Sequence, residues 1–171
     1  MLLLRGEAFD RRIRECQHEA FHLELQDEYN TADGVDPYQN WLDGNPDDYA
    51  WFQAWLSLVR DMTSRGAVMR RARVVTVPHT DYTRWLLEVS RESVNAGEDI
   101  RYLPRHEVDS EKLTGDDWWL FDNDTVAFTA FEPDGRLGGG AITTDPRIVE
   151  YCRSVRDYVW KIATPYDEYT R

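Results

Sequence analysis

Residues 116–125 read DDWWLFDNDT. Two tryptophans stand side by side with acids on both flanks. Paired carboxylates beside aromatic rings are one form that a metal or acid–base site takes. The alternation argues for something else. In an extended chain Trp119 and Phe121 share one face, while Trp118 and Leu120 share the other. Both faces are apolar, which predicts a strand covered on two sides. Asp122, Asn123 and Asp124 then read as turn residues, and Asp116 and Asp117 as the polar entry from a loop. TVAFTAFE, from 125 to 132, is the second strand of a hairpin.

Working outward, PDG at 133–135 is a further turn and leads into a strand at about 137–143. Asp145-Pro146 starts a last helix with a stripe of Ile148, Cys152, Val155, Val159 and Ile162; the tail PYDEYTR reads as irregular. Towards the N-terminus, Phe9, Ile13, Cys16 and Ala20 predict a short helix over roughly 7–18. AFHLELQDEY alternates, so it predicts a half-buried strand with Phe21, Leu23 and Leu25 inward and His22, Glu24 and Gln26 outward. Residues 30–46 read as a loop rich in turn formers. Asn45-Pro46-Asp47-Asp48 reads as a helix start, with Phe52, Trp55, Leu56, Val59 and Met62 as the buried face and Gly66 as the cap. AVMRRARVVTV is a strand stopped by Pro78, YTRWLLEVSRESV a helix capped by Thr80 or Asp81, and DIRYLP a short strand. The expected fold is a single α/β domain over 1–171. Helices flank a mixed β-sheet, in the order α-β-α-β-α-β, then a β-meander, then α.

Composition narrows the function. The chain has 171 residues, a net charge of −12 and 13% aromatic residues. An acidic surface repels phosphate backbones, so direct nucleic-acid binding is not expected. MLLLRGEAF is too short for a signal-peptide core, and no apolar run spans a membrane. Two cysteines, Cys16 and Cys152, both in apolar stripes, suit a reduced cytoplasmic protein. NDT at 123–125 matches a glycosylation pattern but reads as a turn.

Candidate sites are few. HEAFH, residues 18–22, matches the zinc pattern H-E-x-x-H. That pattern needs both histidines on one helix face, whereas the alternation starts a strand inside it; surface histidines are the expectation. GRLGGG at 135–140 has no Walker lysine and lies between strands. No serine stands in G-x-S-x-G. The best polar feature is a group of arginines: Arg70, Arg71 and Arg73 on one strand, Arg101 and Arg105 on another. Arg71, Arg73, Arg101 and Arg105, with His79 or His106 nearby, would make an anion site if their strands are neighbours. The competing expectation is internal ion pairing with local Glu and Asp.

Together, RGAVMRRARVVTVPHTDYTRW, NAGEDIRYLPR, DDWWLFD and the closing DPRIVEYC and PYDEY resemble an actinobacterial family of uncharacterised proteins, a domain of unknown function. That family is often encoded beside helix-turn-helix regulators, which implies a regulatory protein partner and no reaction. A looser similarity is to phospholipase D-like domains, whose hairpin carries H-x-K-x4-D. If Asp122 stands for that Asp, Gly115 replaces the His and Asp117 the Lys, so that activity should be lost. The resulting expectation is a non-enzymatic regulatory or interaction protein, partnering a helix-turn-helix DNA-binding regulator. It has no catalytic residue, cofactor or metal, and no membrane contact; a homo-oligomer is compatible with it. The alternatives are a small-anion-binding enzyme or sensor built on the arginines and a metal-dependent hydrolase built on HEAFH.

Overall fold

The hairpin at 116–131 forms at the centre of the molecule. The computed structural model describes residues 1–30 and 36–171. In chain order the elements are β1 (Leu2–Leu4), α1 (Glu7–Arg14), β2 (Glu19–Glu24), α2 (Pro37–Leu42), α3 (Gln53–Ser64), β3 (Val68–Val75) and α4 (Asp81–Ala96). There follow β4 (Asp99–Pro104), β5 (Trp118–Phe121), β6 (Thr125–Phe131), β7 (Leu137–Thr143), α5 (Pro146–Ile162), β8 (Thr164–Pro165) and α6 (Tyr166–Tyr169). The strands form one mixed sheet in the order β1-β7-β6-β5-β2-β3-β4-β8. β2, β3 and β4 run parallel, as their helical crossovers require, and every other pair is antiparallel.

Each face of the sheet has its own core. On one, Phe9 and Ile13 of α1 and Leu56, Val59 and Met62 of α3 pack on Ala20, Met69, Trp119 and Phe121. On the other, Val149, Cys152, Val155 and Val159 of α5 pack on Phe21, Leu23, Val74, Trp118 and Leu120. Residues 118–121 are therefore buried on both sides, as their doubly apolar pattern predicts. Both cysteines are free and buried.

The acids of the opening stretch have separate structural jobs. Asp122 and Asn123 both take positive φ, 50° and 63°, a conformation that Asp and Asn tolerate better than most residues. The turn places the Asp122 carboxylate beside the chain entering β2. It accepts bonds from the backbone N–H groups of Gln17 (3.0 Å), His18 (2.7 Å) and Glu19 (3.2 Å), and from Cys16 Sγ (3.1 Å). Partial burial works to raise the Asp122 pKa, but these donors outweigh it and hold the group down at about 2. Because the folded value lies below the ordinary one, this stabilisation is present above about pH 4 and is lost as pH falls through about 2. Asp122→Ala should cost on the order of 2 kcal/mol at pH 7. In urea titrations from pH 2 to 7, its deficit should shrink towards pH 2; a deficit independent of pH would refute the clamp.

Several boundaries differ from expectation, each for a local reason. α1 ends at Arg14, and Cys16 is buried in the turn beyond it. The helix expected from Pro46 starts at Gln53, after a 3-10 turn over Ala50–Phe52. Tyr49 is left-handed (φ 54°), and Asp47 accepts from the backbone N–H of Tyr49 and from Trp51 Nε1, so the chain cannot be helical there. Within the expected loop, Asp36 caps α2 and Pro37 opens it; residues 31–35 lie outside the described part. The tail is ordered, forming β8 and α6. The three leucines at the start form β1, which pairs with β7. That pairing and the packing of α1 account for the glycines at 139 and 140. A Cβ on Gly139 would strike the Leu4 backbone, and one on Gly140 would strike the Phe9 ring. Thr80, one of the two expected residues, caps the start of α4, and Gly97 ends it in the left-handed region (φ 111°).

Among the described residues, no helix is long and apolar enough to cross a membrane.

Candidate functional site

The sheet face under α3 and α4 carries charge as well as a core. Register sets His22 beside Arg71 on one side and Trp119 on the other, with Glu24 beside Arg73 and Arg73 beside Tyr102. Alternation then directs these side chains to one face. Arg71 pairs with Glu24, and its Nε donates to Glu98 Oε1 at 2.7 Å. Arg73 Nε donates to the other Glu24 oxygen at 2.5 Å, and its Nη1 donates to Ser90 Oγ (2.6 Å) and Tyr102 Oη (3.1 Å). Trp55 Nε1 donates to Glu98 at 3.2 Å. The Arg71 guanidinium also lies over the rings of Trp55 (5.2 Å) and Trp119 (5.8 Å).

His22, Glu24, Arg71 and Arg73 each keep one protonation state near neutral pH. Burial works to neutralise Glu24, but Arg71 and Arg73 outweigh it and hold its pKa well below the usual carboxylate range. Burial works against the charge on Arg71 and Arg73 too, and their carboxylate partners outweigh it. Burial lowers the His22 pKa to about 3; Glu24 opposes that, while Arg71 and Arg73 add to it. His22 is therefore a neutral imidazole at physiological pH.

The expectation that His22 and Glu24 face solvent is wrong: they are 9% and 7% exposed. β2 is an interior strand with both faces covered, so its alternation separates an apolar face from an ionic one, not core from water. His18 is exposed in the turn before β2, and the two histidines of HEAFH share no helix face. Among the described residues, no group of three or more His, Cys, Asp or Glu side chains is placed to hold a metal ion.

The proposed anion-site residues are not gathered in one place. Arg71 and Arg73 belong to the network just described. Arg101 lies on the opposite sheet face, stacked 4.1 Å over Trp160 and donating to its backbone oxygen at 3.0 Å. Arg105 lies past the end of β4, where it donates to the carbonyls of Leu25 and Val74 and faces Asp27. His79 is held by the Thr76 carbonyl (3.0 Å) and Tyr169 Oη (3.0 Å), and His106 is exposed. Arg71 and Arg73 make the internal ion pairs that were the competing expectation.

Two adjoining cavities open beside the network. One, of 310 Å³, has Phe9, Trp55, Trp119 and Phe131 among its walls, with His22, Glu24, Asp117 and Thr129 among its polar members. The other, of 380 Å³, shares Trp55, Trp119 and Leu137 with it and reaches Arg71, Arg73 and Trp85. Asp117 accepts from the Leu25 N–H at 2.8 Å and from Tyr29 Oη at 2.5 Å. Burial raises its pKa to about 6, against the pull of the Tyr29 hydroxyl. Sequence reading gave His22 and Glu24 to the outward face of a strand and Asp117 to a loop, and did not single out Glu98. The only signal was HLE opposite RAR, a histidine and one acid facing two arginines on strands that pair.

The model of a domain of unknown function, DUF6879, matches residues 7–171. The chain belongs to the DUF6879 family. The match spans α1 to α6, so every wall and every polar residue of the DUF6879 cleft named above lies within it. No curated protein matches this DUF6879 chain.

Proposed function

We propose that the protein is a non-catalytic regulatory module that acts by binding a basic protein partner, a helix-turn-helix DNA-binding regulator. One observation carries this reading. The buried network is neutral, two guanidiniums against the Glu24 and Glu98 carboxylates. The net charge of −12 is therefore carried by the rest of the chain. A surface of that sign steers towards basic partners and away from nucleic acid. The sequence resemblance to actinobacterial proteins encoded beside helix-turn-helix regulators supplies the kind of partner.

Two rival readings are weaker. An anion sensor needs free guanidiniums, and those of Arg71, Arg73, Arg101 and Arg105 are engaged internally. Phospholipase D-like chemistry, if the looser fold similarity holds, lacks its imidazole at Gly115. The lysine position holds Asp117, a buried carboxyl bound to Tyr29.

Isothermal titration with helix-turn-helix regulators of the kind encoded beside members of the resembling family tests the reading. A complex should form at low salt and weaken as ionic strength rises. If no regulator binds at low salt, the reading is abandoned.

A further inference from the structure

The smaller cavity contains two polar atoms that the fold does not satisfy. His22 Nε2 and Thr129 Oγ1 are buried without a hydrogen-bond partner, and both residues line this cavity. Buried polar atoms are seldom left alone, because an unmade bond costs the group its hydration. The tautomer follows from the other ring nitrogen. Arg71 Nη1 lies 3.0 Å from His22 Nδ1, nearer than Glu24 Oε1 at 3.4 Å, and a guanidinium can only donate. Nδ1 therefore accepts, and the imidazole proton is assigned to Nε2, which becomes an unused donor. Thr129 offers a hydroxyl that donates or accepts.

The walls select what those atoms would meet. Trp119 stacks flat on the imidazole, with centroids 4.0 Å apart and planes 12° apart. Phe9 and Trp55 stand edge-on to Trp119, at 6.4 Å and 6.1 Å. Walls of this kind favour a flat ring, stacked or edge-on. The volume of 310 Å³ is at the small end of ligand sites. The charged residues among the lining are Asp10, Glu24 and Asp117, all acidic, which disfavours an anion.

We propose that this cavity binds an uncharged planar compound of one or two fused rings, which presents a carbonyl or ring-nitrogen acceptor to His22 Nε2–H and a second polar group to Thr129. This goes beyond the partner-binding reading and does not depend on it.

The test uses three probes: quinolin-2-one, naphthalene and 2-naphthoate. The first is flat and neutral with a carbonyl, the second lacks the acceptor, and the third carries a negative charge. Tryptophan fluorescence of the full chain should saturate with quinolin-2-one, about tenfold tighter than with naphthalene. It should show no saturation with 2-naphthoate. In the wild type, the 15N resonance of His22 Nε2 should move as quinolin-2-one binds. His22→Phe keeps a ring but removes the donor, and should weaken binding about tenfold. Thr129→Val preserves shape if His22→Phe does not fold, and should weaken binding several-fold. Absence of saturable quinolin-2-one binding, equal affinity for naphthalene, tighter binding of 2-naphthoate or unchanged affinity in Thr129→Val would each overturn the proposal.

Discussion

Arg71→Met should destabilise the protein by about 3–5 kcal/mol, a large part of the stability of a domain this size. Arg71 is only 8% exposed and holds two carboxylates. Their positions differ in consequence. Glu24 keeps Arg73 as a partner, so its charge stays compensated. Glu98 is buried, its side chain fully so, and among the described residues would retain only the Trp55 indole N–H. Removing one member of a buried pair leaves an uncompensated charge, and that penalty exceeds the worth of the pair itself. Urea denaturation of Arg71→Met, Glu98→Gln and the double variant separates the two quantities. The double variant should recover most of the loss, because no charge is then stranded. If it is as unstable as Arg71→Met alone, the loss belongs to packing against Trp55 and Trp119 and the electrostatic account fails.

Trp118→Ala should cost about 3–5 kcal/mol, by cavity formation. Trp118 is fully buried on the α5 face, 5.5 Å from the Phe21 ring centroid, with its Nε1 donating to Thr114 Oγ1 at 2.8 Å. Its neighbour Trp119 is also buried, but it faces the two cavities. The adjacent tryptophans should therefore separate in experiment. Trp118→Ala should lower the urea midpoint severely, while solution fluorescence changes on binding quinolin-2-one should persist in Trp118→Phe and shrink in Trp119→Phe to the part that Trp55 contributes. A Trp118→Ala protein as stable as the wild type would contradict the two-sided burial of β5.

Much of the fold was legible in local pattern. Apolar stripes of period 3.6 located α5 and the body of α3, and alternation located β2 and the hairpin. Helix caps at Thr80, Gly97 and Asp145 fell where short-range chemistry puts them. These signals lie within a few residues of the element they define. Errors arose where a distant contact decides. β1 has too few residues to show a period and exists because β7 offers it an edge. β8 likewise exists because β4 has a free side.

The site was less legible. Arg71 and Arg73 were correctly placed on one face of one strand, since that follows from a period of two. Arg101 was grouped with them, but β4 pairs with β3 in a register that sets Arg101 beside Ala72, on the opposite face. His22 and Glu24 were given to solvent because an alternating strand ordinarily has one wet face.

The acids in DDWWLFDNDT show the same division. Their sequence alone determined a strand with two apolar faces and a turn after it, because alternation and turn propensity act between near neighbours. It also determined the net charge and the absence of a Walker lysine at 135–140. Only the tertiary structure decided what each carboxylate does. Asp122 clamps the chain entering β2, more than 100 residues earlier in sequence. Asp117 is buried against Tyr29, and Asp116 and Asp124 stay in water. The burial and partners of a charge depend on which strands become neighbours and in what register, and those pairings join residues that no local pattern connects.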